Sequence, residues 1–116
     1  IAKRENAVGI IPSIKTDIRD PIVIGTLIKM FQRQAMNDSA ELAKKIIQNF
    51  KKTKLAVNRG HRFAGFTVLK SHNIPSVLIE IGFLSNKKEE KKILSDQYIN
   101  NFSKNLALAI ENYLLR

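Results

Sequence analysis

The segment Ile74-Pro75-Ser76-Val77-Leu78-Ile79-Glu80-Ile81-Gly82-Phe83-Leu84-Ser85-Asn86 decides how the rest of the chain is interpreted. Residues 77–81 are apolar except for one, and they lie between a proline and a glycine. A short apolar run bounded in this way is typical of a strand that is buried on both faces. Asn86 followed by Glu89 has the spacing of a capping box, which predicts a short helix directly after the segment.

Glu80 is the one charged residue in this apolar run. An ionised carboxylate loses its water in a buried strand unless a cation or hydrogen-bond donors replace it. In open α/β sheets, ligands bind beyond the carboxyl ends of the strands, and Glu80 falls at that end. The strand alone leaves two hypotheses open: Glu80 is a catalytic carboxylate, or it pairs with a Lys or Arg in a structural ion pair.

The composition indicates one globular domain with a strongly basic surface. Hydrophobic residues make up 44% of the 116 residues and charged residues 26%. The formal net charge of +10 favours polyanionic partners such as nucleic acid, anionic lipid or an acidic cell-wall polymer. No nucleic-acid recognition motif accompanies this charge, so we predict no nucleic-acid partner. No apolar run approaches the ~20 residues that span a bilayer, so we predict no transmembrane segment.

Two helices are predicted before the apolar segment. Asp20-Pro21 is a typical helix start, and an apolar stripe with helical spacing follows it to Ala35. Residues 37–39 interrupt this pattern, and Asp38 with Glu41 predicts that a second helix begins there and runs to about Lys52.

A second strand and two more helices complete the predicted fold. We expect a strand at 63–70, antiparallel to the strand containing Glu80 if the two are adjacent, because the connection is too short for a parallel crossover. The run Lys87-Lys88-Glu89-Glu90-Lys91-Lys92 is mixed in sign and predicts a solvated helix face. The last helix is predicted at 96–115, with an apolar stripe formed by Tyr98, Phe102, Leu106, Ile110 and Tyr113. The predicted fold class is α/β: the second half of a mixed-sheet domain with helices on both faces.

The sequence offers little metal chemistry of its own. Cysteine is absent, which excludes disulfides and thiolate metal sites. His61 and His72 are the only histidines, and neither has a second ligand at a metal-binding spacing. They are predicted to be exposed loop residues, and no metal-ligating residue is predicted in this chain.

Two motifs resemble those of a known family. Arg62-Phe63-Ala64-Gly65-Phe66-Thr67-Val68-Leu69-Lys70 and the segment 74–86, followed by Glu89-Glu90, are similar to the C-terminal half of the zinc-dependent N-acetylmuramoyl-L-alanine amidases. The similarity is strong over 38–116 and looser over 2–36. It implies that 1–116 is the C-terminal part of a single catalytic domain. It also implies that Glu80 is the catalytic glutamate.

The resemblance further implies a zinc-dependent peptidoglycan hydrolase of the periplasm or cell envelope. Such enzymes cleave the amide bond between N-acetylmuramic acid and the L-alanine of the stem peptide, in cell-wall remodelling and daughter-cell separation. Zinc would activate the attacking water, and Glu80 would carry the proton. The family's Zn²⁺ ligands, two histidines and a glutamate, precede the part represented here, so the fragment alone is expected to be inactive.

The resemblance also suggests regulation. In relatives that act during cell division, a helix covers the active site until an activator protein removes it, and 20–36 is the corresponding segment. No acid occurs between Pro21 and Asn37 that could reach a metal, so self-inhibition is expected to be incomplete. Two alternatives stay open: 20–36 is a permanent core helix, or the whole chain is a non-catalytic basic module that binds the cell wall or a regulator.

Overall fold

The computed structural model describes residues 20–53, 69, 73–82 and 85–116. Within them, three α-helices follow one another: α1 (Pro21–Thr53), α2 (Lys87–Ile93) and α3 (Asp96–Leu114). The described residues belong to two compact units. The first unit comprises 20–39, 69 and 73–76, and the second comprises 40–53, 77–82 and 85–116.

The predicted α/β fold, the second half of a mixed-sheet domain with helices on both faces, is wrong for the residues that the structure describes. Of these, 78% are helical and none forms a strand. A strand needs a neighbour that satisfies its backbone N–H and C=O groups, and 75–82 have no ladder partner among the described residues. An apolar run indicates burial but does not supply that partner. The predicted second strand, 63–70, lies outside the described residues apart from residue 69, which is in a 3₁₀ turn.

Burial along the second-unit part of this segment alternates from one residue to the next. Val77 and Ile79 are half-buried and pack against the core of the second unit. Leu78 is 50% exposed, and Glu80 is exposed as well. The run is therefore covered on one side, whereas the sequence predicted coverage on both.

Helix α1 begins where the sequence predicts. The Ile22 N–H donates a hydrogen bond to Asp20 Oδ1 over 2.9 Å. Asp20 thereby satisfies one of the backbone donors that the first helical turn leaves unpaired. Pro21 has no N–H that would need a partner at the first helical position.

The predicted helix boundary at 37–39 is wrong, because α1 continues through these residues for its full 33-residue length. The Ser39 hydroxyl donates to the Ala35 carbonyl over 2.6 Å. The Asp38 carboxylate accepts a hydrogen bond from Gln34 Nε2 over 2.9 Å. Both side chains bond to groups four residues earlier in the same helix, so neither acts as an N-cap.

The core of the second unit lies between the C-terminal part of α1 and helix α3. Phe50 and Phe102 are in ring contact, with centroids 5.0 Å apart. Ala109 is fully buried, whereas Ile110, which the sequence placed in the apolar stripe, is 39% exposed. The small Ala109 side chain allows close approach at the centre of the core. The core consists of Ile46, Phe50 and Ala109, with Leu42, Val77, Ile79, Phe102 and Leu106 packed around them.

The starts of α2 and α3 lie where the sequence predicts. Asn86 Oδ1 accepts hydrogen bonds from the backbone N–H groups of Lys88 (3.1 Å) and Glu89 (3.3 Å), which caps α2. Ser95 Oγ accepts from the Tyr98 N–H over 3.2 Å and caps α3. Helix α3 begins at Asp96, as predicted, and ends one residue before the predicted end.

The end of α3 is joined to α1 within the second unit. Arg116 Nε lies 3.0 Å from Glu41 Oε1. The Arg116 guanidinium also lies 3.8 Å from the centroid of the Tyr113 ring and donates to the Tyr113 carbonyl over 2.8 Å. A planar guanidinium can make the ring contact and the ion pair together, which a lysine ammonium would do less well.

Candidate functional site

Glu80 is the residue that the sequence singles out, and the structure places it on the exposed side of its segment. Its neighbours Val77 and Ile79 anchor the backbone to the core, and Glu80 alternates away from them. The sequence predicted a carboxylate buried in a strand, and that part of the prediction is wrong. The carboxylate is accessible to a large substrate.

The alternative hypothesis for Glu80 was a structural ion pair. Arg116 and Glu41 form such a pair in the second unit, but no Lys or Arg in the described parts of the chain lies within ion-pair distance of Glu80. Among those residues, the structure brings no cation to the carboxylate. Its catalytic role stays a prediction.

Gly82 determines how the chain leaves Glu80. Its φ is +155°, a conformation that residues with side chains rarely adopt. A Cβ atom built on Gly82 would lie 2.7 Å from Ile93 Cδ1 and 3.5 Å from Glu89 Oε2. Helix α2 therefore packs directly on the backbone two residues after Glu80.

Sequence reasoning missed this contact, because it treated Gly82 only as the end of a strand. A glycine after an apolar run can also indicate close approach of another element, which was the available signal. Nothing in the sequence identified Ile93 as the contacting residue.

An open pocket of about 270 Å³ lies between α2 and α3 in the second unit, beside Ile81. Tyr98 forms part of its wall and stacks on Phe102, with ring centroids 5.9 Å apart. Burial raises the pKa of the Tyr98 hydroxyl above its ordinary value of 10.0. The pocket is almost entirely apolar and is lined by Ile81, Ile93, Leu94, Tyr98, Ile99, Phe102 and Ser103.

The described residues do not form a metal site. No group of three or more His, Asp or Glu side chains among them is arranged to hold a metal ion. His61 and His72 lie outside the described residues. The described part of the chain therefore does not fit a zinc ion by itself, and we derive no catalytic step through zinc.

No helix in the described part of the chain is long and apolar enough to cross a membrane. The longest, α1, has polar residues such as Gln32, Asp38 and Lys44 along its length.

Comparison with known proteins relates these features to an enzyme family. A family model described as N-acetylmuramoyl-L-alanine amidase matches residues 14–112. The N-acetylmuramoyl-L-alanine amidase AmiC of Escherichia coli O6:H1 is 31% identical over 114 residues, which cover 97% of this chain and 27% of AmiC. The N-acetylmuramoyl-L-alanine amidase AmiA of Salmonella typhimurium is 30% identical over 115 residues, which cover 99% of this chain and 38% of AmiA.

The chain thus spans between 27% and 38% of the length of these two curated relatives. No solved structure gives a significant match. The family model covers most of the chain, including Glu80, Gly82 and all of α2. The resemblance inferred from the two sequence motifs is confirmed: the chain belongs to the N-acetylmuramoyl-L-alanine amidase family.

Proposed function

We propose that this chain is the C-terminal part of a catalytic domain that hydrolyses peptidoglycan. The bond cut is the amide between N-acetylmuramic acid and the L-alanine of the stem peptide. Family membership supports this reaction class. The observation that carries the proposal is Glu80, an exposed carboxylate on a segment anchored to the core by Val77 and Ile79.

Glu80 serves as the proton carrier in this reaction. The carboxylate accepts a proton from the attacking water as its oxygen forms a bond to the amide carbonyl carbon. The same group then returns the proton to the nitrogen of L-alanine as the C–N bond breaks. A positioned group of this kind contributes about 10²-fold to 10⁴-fold to the rate. The anchored backbone limits how far the carboxylate can move, which favours a defined geometry.

The complete domain also requires Zn²⁺ under this proposal, with its ligands outside the described residues. The family resemblance supports zinc, and the described residues contribute no ligand cluster. A longer protein that includes the remainder of the domain should bind one equivalent of zinc. This chain alone should bind zinc poorly, since three protein ligands are typical of catalytic sites. Metal analysis of both purified proteins tests this expectation.

The substitution Glu80→Gln in the complete protein tests the catalytic role. We expect release of dye from labelled peptidoglycan to fall by about 10²-fold to 10⁴-fold, with unfolding temperature and zinc content near the wild-type values. Glu111→Gln is the matched control, because Glu111 is an exposed carboxylate on α3. Wild-type release by Glu80→Gln would rule out the assignment.

The proposed site of action is the periplasm or cell envelope, during cell-wall remodelling and daughter-cell separation. The formal charge of +10 suits a protein whose substrate is an anionic polymer. Fractionation of cells that express the complete protein tests the location. Unseparated chains of cells after deletion of the gene would support the role in division, and normal separation would oppose it.

Residues 20–36 are proposed to be a regulatory cover that an activator protein displaces. The exposed apolar side chains in this segment support a surface that can dock elsewhere: Ile22 is 79% exposed, Met30 63% and Met36 53%. Deletion of 20–36 from the complete enzyme should raise basal hydrolysis in a folded protein. Unfolding or lost activity would mean that the segment is a permanent part of the core.

A non-catalytic basic module that binds the cell wall is the second candidate, and the net charge favours it. That function predicts that the complete, zinc-loaded protein binds peptidoglycan without releasing fragments. Fragment release that depends on Glu80 would exclude it.

A further inference from the structure

Helix α2 separates its charges by sign, although its sequence mixes them. Lys87, Lys88, Lys91 and Lys92 are all exposed, whereas Glu89 and Glu90 are half-buried. At about 100° per residue, the four lysines fall within an arc of about 140°. The two glutamates and Ile93 fall on the opposite side of the helix. The sequence predicted a solvated face, and its outward charge is positive.

The position of this lysine face follows from the packing of the other side of α2. A Cβ atom built on Gly82 would lie 2.7 Å from Ile93 Cδ1 and 3.5 Å from Glu89 Oε2, so this side of α2 faces Gly82. Gly82 is two residues from Glu80, so the lysines lie on the outer side of a helix that packs next to the segment containing the exposed carboxylate. All of these residues belong to the second unit.

We propose that the four exposed lysines of α2 form a docking surface for the carboxylates of peptidoglycan stem peptides. This inference rests on the proposed amidase function, and it specifies how that site holds its substrate. The argument is charge complementarity: a face of four cations, on the helix that packs next to the segment containing Glu80, meets a polymer that repeats carboxylates along its length. This face attracts the polymer to the surface next to the proposed site.

The contribution of each lysine is modest, because the side chains are solvated. Many exposed ion pairs contribute little or nothing to affinity, so we take each lysine at the low end of the range, and four together then amount to about threefold to tenfold. The attraction extends about 8 Å at physiological ionic strength, so it should weaken strongly in high salt. Docking should therefore affect affinity for the polymer rather than the chemical step.

The test compares two variants of the complete protein that lose the same charge. The first replaces Lys87, Lys88, Lys91 and Lys92 with Gln. The matched control replaces the exposed Lys44, Lys51, Lys52 and Lys104, on α1 and α3, with Gln. Both changes lower the formal net charge of +10 by four. Binding to insoluble peptidoglycan is measured by co-sedimentation in the Glu80→Gln background, which prevents digestion, and unfolding temperatures show that both variants are folded.

A second arm changes the substrate instead of the protein. The carboxylates of the same peptidoglycan are converted to neutral amides before binding is measured. We expect the α2 variant to bind native peptidoglycan about threefold to tenfold more weakly than the control variant. On the amidated material, the two variants should bind alike.

Equal weakening by both variants would overturn the proposal, because net charge alone would then explain binding. A difference that survives amidation would also overturn it, since the lysines would be recognising something other than carboxylates. Hydrolysis is measured separately, by comparing the complete protein that keeps Glu80 with its Glu80→Gln variant. If Glu80→Gln retains hydrolysis, the proposed catalytic function fails. If only the binding comparison fails, the docking surface alone is refuted.

Discussion

A Cβ atom at Gly82 would stand 2.7 Å from Ile93 Cδ1, closer than side-chain carbons approach one another in folded proteins. The contact joins the end of α2 to the backbone that follows Glu80. The φ of +155° at Gly82 adds a second reason why a side chain does not fit there.

Gly82→Ala should therefore destabilise the protein and reduce hydrolysis. The positive φ should lower the free energy of unfolding by about 1–2 kcal/mol, and the overlap should add less because Ile93 Cδ1 is the end of a flexible side chain. Urea denaturation of the complete protein measures this change. Gly25→Ala is the control: Gly25 lies within α1 with open space around its Cβ position, and alanine there should stabilise the helix by about 0.5–1 kcal/mol. Similar effects at the two glycines would contradict the structural account.

Shortening the contacting side chain separates the two causes. In the double variant Gly82→Ala/Ile93→Ala, the overlap is removed but the unfavourable φ remains. The double variant should lose less stability than the sum of the two single variants, because the clash is present in only one of them. Additive losses would show that Ile93 does not limit the space at Gly82.

Ser39→Ala should destabilise the first unit. The Ser39 hydroxyl donates to the Ala35 carbonyl and accepts from the Ser76 N–H over 2.8 Å, so it connects α1 to a segment 37 residues later. Without it, the Ser76 N–H loses its partner at a partly buried position, at a cost of about 1 kcal/mol. Faster hydrogen exchange of the Ser76 amide measures the loss, and Ser103→Ala on α3, whose side chain is exposed, is the control. Unchanged exchange at Ser76 would contradict the bond.

Ala109→Leu should be strongly destabilising, because Ala109 has no exposed surface and lies at the centre of the second-unit core. Three extra carbon atoms in a packed core cost about 1–3 kcal/mol, and occasionally more. Ala107→Leu makes the same change at an exposed position of α3 and should be nearly neutral. Thermal unfolding of both variants provides the comparison. If Ala109→Leu left the unfolding temperature unchanged, the core between α1 and α3 would be loosely packed around Ala109.

Tyr98 should make stability depend on pH in the alkaline range. Burial raises its pKa in the folded protein, so the unfolded chain gives up the phenolic proton first as the pH rises through 10.0. The stability associated with the neutral phenol is complete below that pH, and it is lost as the pH rises toward the folded-state pKa. Tyr98→Phe removes this ionisation and keeps the ring that stacks on Phe102. The free energy of unfolding of Tyr98→Phe should change less between pH 9 and 11 than that of the wild-type protein, as measured by urea denaturation. The same pH dependence in both proteins would contradict the prediction.

The sequence predicted where helices begin better than it predicted which elements they pack against. Caps depend on residues a few positions apart, so Asp20 and Asn86 could be related directly to helix starts, whereas the Ser95 cap was found only in the structure. The boundary predicted at 37–39 was wrong because Asp38 and Ser39 can bond either to a helix start or to the preceding turn.

The segment around Glu80 shows the other limit of sequence reasoning. Its apolar residues correctly indicated contact with a core, as Val77 and Ile79 demonstrate. Whether an apolar run joins a sheet depends on distant residues that supply a ladder, and period and composition do not contain that information. The candidate site was found because a carboxylate in an apolar run is unusual, and the family motifs strengthened that inference. Its exposure and the contact between Gly82 and Ile93 required coordinates.

Because burial alternates from Val77 to Glu80, the direction of each side chain in this part of the chain depends on whether its position is odd or even. Odd-numbered positions there face the core and even-numbered positions face outward. A one-residue insertion between Ile79 and Glu80 would turn the carboxylate toward the apolar core, whereas a two-residue insertion would restore its outward direction. Length variants of this segment should therefore be tolerated in steps of two, and a single-residue change should be more damaging than a larger one.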